Sequence, residues 1–237
     1  MKTTGANSAS GRPQPAVLTD FDDTAAAQNV AEMLLNRFGD PDWIDVRQRF
    51  RDGHINLKEY QEITFRNIQT DRATMQSYVK EHANLRPFFG ELWGFCQANG
   101  IPMAVVSQGL DFYIKALLER DGYNRVPVYA VDTEFRGGEI IYHYNHTSPG
   151  KESQGNSKGF VVKSFQERGY HVFFAGDGHS DLEAARVADV TFAHRTLAKF
   201  CDDESIPYHP FEDFKGMLLA VRNFSNNGHG PNVDHQA

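Results

Sequence analysis

The order of segments predicts an α/β fold, a doubly wound and mainly parallel sheet with a small helical cap inserted after the first strand. Three observations carry that expectation. Short apolar runs, in VLTDF, IPMAVVS and HVFFAG, are separated by stretches whose apolar residues recur at helical spacing, and such alternation builds a parallel sheet with helices on both faces. The runs end on polar side chains, Asp20, Ser107 and Asp177 in turn, and parallel sheets bind ligands at the carboxyl ends of their strands. Between the first two runs the chain reads as helices throughout, which a plain strand–helix crossover would not produce.

The first run is a buried-type strand that delivers Asp20 and Asp22 to its end, with Thr24 where the chain turns away. Residues 26–85 follow as the insert: VAEMLLNRF, LKEYQEITFRNI and ATMQSYVKEH carry apolar residues at helical spacing, and GDPD and DGHIN mark turns. A helical cap over the strand ends can close, exclude water and read the part of a substrate that the core does not touch. The core resumes with a helix from about residue 87, a strand ending at Ser107, a tight turn at Gly109 and the amphipathic LDFYIKALLE, which reaches residue 121. VPVYAVDTEF and EIIYHY then form a hairpin across RGG, and HTSPGKESQGNS is a flexible loop near the pocket. Lys158 precedes the next helix, and HVFFAG is a further strand. The core is therefore 15–25 and 86–222, the cap 26–85, and 1–14 and 223–237 are polar, loose tails.

The chain has 237 residues, 40% of them apolar, enough for one domain with an insert. Its net charge of −7 comes without a basic patch, which argues against nucleic acid and anionic membrane surfaces as partners. The opening segment has no apolar stretch of the signal-peptide kind, so the expectation is a cytoplasmic enzyme with a small-molecule substrate. Cys96 and Cys201 lie far apart in helical segments and read as reduced, buried thiols. The 10 histidines, two of them (His229 and His235) in the final tail, show no zinc-type pairing. No feature of the pattern specifies an oligomeric state.

The polar residues at the strand ends suit phosphoryl chemistry. Residues two apart in an extended segment point the same way, so Asp20 and Asp22 can face one pocket, Asp20 as the nucleophile that takes a phosphoryl group and Asp22 as acid and base at the leaving oxygen. Taken alone, the pair also fits an Asx-rich turn closing a strand. Ser107, with the backbone N–H groups of Gln108 and Gly109 at the start of a helix, suits phosphate oxygens; a helix cap is the other reading of that serine. Carboxylates gathered round a phosphate repel one another unless a cation offsets them, and Mg²⁺ takes oxygen ligands from one or two carboxylates plus the phosphate, which makes Asp177 the metal ligand. Asp181 either holds Asp177 and Lys158 in place, reaches the metal through water, or is only an acid in the first turn of a helix. Of the two lysines in NSKGFVVKSF, Lys158 can reach back over the strand ends to phosphate, whereas Lys163 falls within the helical pattern on its solvated side. Asn29, Arg47, Arg51 and Arg66 of the insert are candidate contacts to the rest of a substrate, although each also fits a solvated helix face.

DFDDT, VVSQG, Lys158 and GDGHSD, in that order, resemble the four motifs of the haloacid dehalogenase superfamily, and the match spans the globular chain. The resemblance implies a Rossmann-like core, an aspartyl-phosphate intermediate on Asp20, and Mg²⁺ held by Asp20, Asp177 and the backbone carbonyl of Asp22. Asp22 points to phosphate esters, because the superfamily's dehalogenases lack that second acid. The position of the cap is similar to the phosphoserine-phosphatase branch, but Asn29 stands where those enzymes have Glu, and Thr64 where they have Arg, with Arg66 two residues on. VVSQGLDFYIKALLE, GDGHSDLEAARVADVTFA and YHPFEDF are more similar to the branch acting on 2-hydroxy-3-keto-5-methylthiopentenyl-1-phosphate in methionine salvage, although Gln108 replaces a Gly there and the loop before Lys158 has no Cys. The resemblance thus implies hydrolysis of a small-molecule phosphate ester, that salvage ester or another small metabolite, and leaves open transfer to an alcohol by the same mechanism.

Overall fold

The computed structural model describes residues 13–226, in which helices cover both faces of a seven-stranded sheet. β1 (Gln14–Thr19) leads through an irregular turn into the insert helices α1 (Val30–Phe38), α2 (Trp43–Arg51), α3 (Leu57–Arg66) and α4 (Arg72–His82). The chain continues as α5 (Phe89–Ala98), β2 (Met103–Leu110), α6 (Asp111–Arg120) and an antiparallel hairpin, β3 (Val128–Arg136) and β4 (Glu139–His143). Then come α7 (Lys158–Gln166), β5 (Tyr170–Gly176), the short α8 (Leu182–Ala185), β6 (Val190–Ala193), α9 (Arg195–Asp203), β7 (His209–Pro210) and α10 (Phe214–Asn226). The spatial order is β4-β3-β2-β1-β5-β6-β7, and all neighbours are parallel except β3 and β4.

The alternation of side chains along the central strands divides the core in two. Val17, Val105 and Phe173 face one side, where Leu92 and Cys96 of α5 and Met217 and Val221 of α10 pack on them. Ala16, Leu18, Val106 and Phe174 face the other, against Val161, Val162 and Phe165 of α7 and Ala184 of α8. Because both faces are covered, β1 is buried from Pro15 to Thr19, and Pro15 to Leu18 form a continuous apolar run instead of alternating. Thr19 pairs with Val105 on one side and Ala175 on the other, so the ends of β1, β2 and β5 lie side by side. That register brings Asp20, Ser107 and Asp177 to one edge of the sheet.

The insert is four helices, three of them started by side-chain caps. The Asn29, Asn56 and Asp71 side chains accept from the backbone N–H groups of Glu32, Glu59 and Thr74, and Glu59 answers Asn56 as a capping box. Entry and exit are tied together by an antiparallel bridge between Ala26 and Leu85. On the core side, α4 lies against α6, where Gln76 donates to the Phe112 carbonyl at 2.9 Å and Arg120 donates to the carbonyls of Lys80 and Ala83. No described helix is long and apolar enough to cross a membrane.

Several elements differ from the expectation. β6 and β7 are two additional parallel strands of four and two residues, too short for a legible apolar pattern. β2 does not stop at Ser107 but continues to Leu110 with a register shift after Val106, and Asp111 opens α6, so Ser107 lies inside an irregular strand end and does not cap the helix. The expected tails fall mostly outside the described residues, as do His229 and His235, but Gln14 already belongs to β1 and α10 runs on to Asn226. Phe224 explains the second extension: it stacks on His171 at 4.5 Å between ring centroids and meets Phe173 edge-on, which holds the last turn of α10 to the sheet.

Candidate active site at the strand ends

At the end of β1, Asp20 is 4% exposed and its N–H donates to the carbonyl of Ala175 at 2.8 Å, which fixes it against the end of β5. Lys158, the first residue of α7, places its Nζ 2.6 Å from Asp20 Oδ1 and 2.6 Å from Asp181 Oδ1, and 3.2 Å from Ser180 Oγ. Asp181 is fully buried, and its other oxygen accepts from the backbone N–H groups of Asp177 and Gly178, both at 2.9 Å. Gly176 makes this packing possible: a Cβ there would lie 2.5 Å from Asp181 Cγ. Asp20, Asp177 and Asp181 each place a carboxylate oxygen within 4.8 Å of the others, and Thr24 Oγ1 lies 3.5 Å from Asp177 Oδ1.

Burial of this cluster penalises every ionised form. Burial, then Asp181 and Asp177, hold the Asp20 carboxyl well above the usual carboxylate range despite the opposing pull of Lys158. Asp177 is pushed up to about 7 by burial and by Asp181. Burial alone would lower the Lys158 pKa, but Asp181 and Asp20 outweigh it and keep the ammonium charged. One buried ammonium against three carboxylates leaves the site short of positive charge. Asp181 has both oxygens committed to Lys158 and to backbone donors, which leaves Asp20 and Asp177 as the carboxylates of the cluster that could hold a hard divalent cation.

Asp22 is positioned differently from the sequence expectation. The chain leaves the strand in an irregular turn in which Asp23 has φ 61°, so strand alternation is not what orients the second acid. Asp22 Oδ1 instead accepts from the N–H groups of Val30 and Ala31 at 2.7 and 3.2 Å, at the positive end of α1, and Oδ2 accepts from the Tyr113 hydroxyl at 2.9 Å. Burial raises its pKa to about 6 while these donors oppose the rise. Gly109 lies directly beside the pair, because a Cβ there would strike the Tyr113 hydroxyl and come 3.1 Å from Asp22 Oδ2. Ser107 is buried and its Oγ accepts from the Gly109 N–H at 2.9 Å. Gln108 extends away from them: its Nε2 donates to the Asn156 carbonyl at 3.1 Å, and its own carbonyl accepts from Gln61 Nε2 of α3.

Sequence reasoning missed four of these neighbours, Tyr113, Gln61, Asn156 and Arg86, and also Arg195. Arg86 donates from Nη2 to the Asp23 carbonyl at 2.7 Å, from Nε to the Thr24 carbonyl at 2.9 Å and from Nη1 to the Glu212 carbonyl at 3.1 Å, clamping the turn that carries Asp22. Arg195 Nη1 lies 2.5 Å from Asp23 Oδ1 and 3.8 Å from Asp177 Oδ2. Each makes its contact at long sequence separation, so no local spacing marks it.

The insert candidates are spread out. The Asn29 side chain is committed to capping α1. Arg47 pairs with Glu32 at 2.7 Å and its guanidinium lies 4.9 Å from the Trp43 ring centroid. Arg51 and Arg66 are exposed at the last residues of α2 and α3.

The chain as a whole is similar to known proteins. Residues 17–186 match the model of the haloacid dehalogenase-like hydrolases. The chain is 28% identical over 208 residues to a 2-hydroxy-3-keto-5-methylthiopentenyl-1-phosphate phosphatase of Exiguobacterium sibiricum, covering 85% of this chain and 94% of that one. It is 27% identical over 229 residues to a polyol phosphate phosphatase of Saccharomyces cerevisiae, covering 87% and 92% respectively. Among solved structures, a phospho-aspartyl intermediate analogue of phosphoserine phosphatase superposes with a TM-score of 0.62 at 15% identity, covering 88% of this chain and 99% of that one. A sheet of this order, acids at the ends of β1 and β5, and a family match that runs from the first of those strands to the helix beyond the second lead to one conclusion: the chain belongs to the haloacid dehalogenase-like hydrolase family and is an enzyme.

Proposed function

We propose that the chain is a Mg²⁺-dependent phosphomonoesterase that hydrolyses a small-molecule phosphate ester in two steps through a phosphoryl group carried on Asp20. The observation that supports this reading best is the buried Asp20–Lys158–Asp181 chain of ion pairs at the strand end, with Asp177 beside it. A lysine held by two carboxylates in a buried site is a fixed positive charge, which stabilises phosphate oxygens as charge develops on them. Bound Mg²⁺, held by Asp20, Asp177 and the Asp22 carbonyl, would supply the remaining neutralisation. Ser107 and the backbone N–H groups of Gln108 and Gly109 take the other phosphate oxygens in this reading, and Thr24 and Asp181 orient Asp177.

In the first step an Asp20 carboxylate oxygen attacks phosphorus, the ester P–O bond breaks, and the Asp22 carboxyl gives its proton to the departing alkoxide. In the second step water attacks phosphorus, Asp22 takes the proton back, and the bond to Asp20 breaks with release of phosphate. Asp22 suits both steps because a carboxyl with a pKa near 6 is protonated and deprotonated with little cost at neutral pH. The insert, residues 26–85, acts as a cap whose α3 contacts the core beside Gln108.

For the substrate, the methionine-salvage relative supports 2-hydroxy-3-keto-5-methylthiopentenyl-1-phosphate, and the yeast relative supports a polyol phosphate as the second reading. Phosphoserine is disfavoured by Asn29, whose side chain is spent on the α1 cap. The test is a phosphate-release screen over small phosphomonoesters with Mg²⁺, run with and without added glycerol. Release of phosphate from one ester far above the others supports the reading. Transfer to glycerol in place of release would reassign the chain as a phosphotransferase, and no turnover of any ester, an activated aryl phosphate included, would refute it.

A further inference from the structure

Tyr113 is the third residue of α6 and is fully buried, and its hydroxyl donates to Asp22 Oδ2 at 2.9 Å. Side chains in a helix lean back towards its N-terminus, so the ring returns over the turn at the end of β2. The ring meets Phe112 edge-on at 5.5 Å between centroids and lies 6.1 Å from Phe21, the residue before Asp22. Gly109 leaves the room in which the hydroxyl sits, since a Cβ there would strike it. The Asp22 carboxyl is therefore gripped from two elements. The first turn of α1 holds Oδ1 through the N–H groups of Val30 and Ala31, and α6 holds Oδ2 through Tyr113. Held at Oδ1 only, the carboxyl could swing about that oxygen.

The two oxygens are not equivalent. Oδ1 accepts two N–H hydrogens, which suits the carbonyl-type oxygen of a protonated carboxyl and not its hydroxyl, so the acid's proton belongs on Oδ2. Oδ2 is also the oxygen beside the Ser107–Gly109 turn, because a Cβ on Gly109 would lie 3.1 Å from it. We propose that Tyr113 is a positioning residue that acts through Asp22: its hydroxyl holds Oδ2 towards the leaving oxygen and stabilises the charge that forms on Oδ2 as the proton departs. The step balances. The ester P–O bond breaks with its electron pair left on the leaving oxygen, that oxygen takes the proton from Oδ2, and the pair of the broken O–H bond stays on Oδ2. A hydrogen bond from Tyr113 to a protonated oxygen is weak and strengthens as that oxygen becomes anionic, so the hydroxyl favours the transition state over the ground state. The proposal rests on the phosphomonoesterase reading and adds to it a residue that never touches the substrate.

The experiment compares Tyr113→Phe with the wild type on two substrates, p-nitrophenyl phosphate and the alkyl phosphate that the wild type hydrolyses fastest. The variant keeps the ring and its aromatic contacts and loses only the hydroxyl. An alkoxide must be protonated as it leaves, whereas an activated aryl oxide need not be, so the ratio of alkyl to aryl kcat/KM should fall at least about tenfold. A purely structural role would lower both rates together and leave that ratio unchanged. The same substitution is then made in the Asp22→Asn background. There the acid is already lost, so adding Tyr113→Phe should not lower the ratio further. An unchanged ratio in Tyr113→Phe, a second tenfold fall in the double variant, or aryl turnover by a wild type that hydrolyses no alkyl ester would overturn the role of Tyr113 while leaving phosphomonoester hydrolysis in place. Absence of aryl phosphate turnover in the wild type would instead refute the phosphomonoesterase reading, and the role of Tyr113 with it.

Discussion

Asp20 is held between the Lys158 ammonium and two further carboxylates, so its own charge is both paired and repelled. Asp20→Asn removes the proposed nucleophile and also a like charge. Turnover should fall by roughly a thousandfold or more, while stability should change by no more than about 1 kcal/mol, because Asp181 still pairs with Lys158. Thermal unfolding and phosphate release on the same sample check both halves, and a folded variant that retains turnover would remove Asp20 from the chemistry. Asp22 makes a different prediction. With its pKa near 6 it is protonated below that pH and ionised above it, so the step that expels an alkyl leaving group should slow as pH rises through about 6. An activated aryl leaving group needs no proton and should show little of that decline. Asp22→Asn should likewise cost far more with an alkyl phosphate than with an aryl one, and equal losses would deny Asp22 the acid role.

At the scale of elements, strand ends do the positioning and their packing leaves no slack. Gly176 ends β5 under the Asp181 carboxylate, so Gly176→Ala must displace either the strand or the acid that orients Lys158. The expected cost is about 1–3 kcal/mol of stability, with a loss of activity larger than the destabilisation alone explains. Chemical denaturation and kcat measured in parallel decide it; wild-type values for both would mean that the contact is not restrictive. The same packing shows what could be read from the sequence. Asp20, Ser107, Lys158 and Asp177 stand at the junctions of apolar runs and helical patterns, so local periodicity marks them. Tyr113 lies inside a helix that reads as ordinary amphipathic surface and core, and its hydrogen bond to Asp22 spans 91 positions. Arg86 reaches Thr24 across 62 positions, and Gln61 reaches Gln108 across 47. Such contacts depend on tertiary packing that no periodicity encodes. The strand ends were also smoothed by the sequence pattern, because alternation assigns Asp22 to an extended segment whereas the left-handed Asp23 turns the chain out of it.

For the whole molecule, the cluster of carboxylates ties stability to pH and, under the proposed metal assignment, to Mg²⁺. In the unfolded chain these groups ionise near about 4, whereas in the metal-free fold Asp177 holds its proton up to about 7 and Asp20 is shifted in the same direction. Between those values the folded state binds more protons than the unfolded state, so stability falls as pH rises through that window. The metal-free protein should therefore melt at a lower temperature at pH about 8 than at pH about 5.5, and added Mg²⁺ should recover most of the difference at the higher pH. A melting temperature that ignores Mg²⁺ at both values would contradict the metal assignment. Chelation should abolish turnover and Mg²⁺ should restore it. The central claim, that a phosphoryl group passes through Asp20, is tested most directly by acid-quenching the enzyme during turnover and mapping the phosphorylated peptide by mass spectrometry. The result expected is a hydroxylamine-labile phosphoryl group on the peptide containing Asp20, absent in Asp20→Asn; phosphate release with that peptide unmodified, or with the group on another residue, would contradict it.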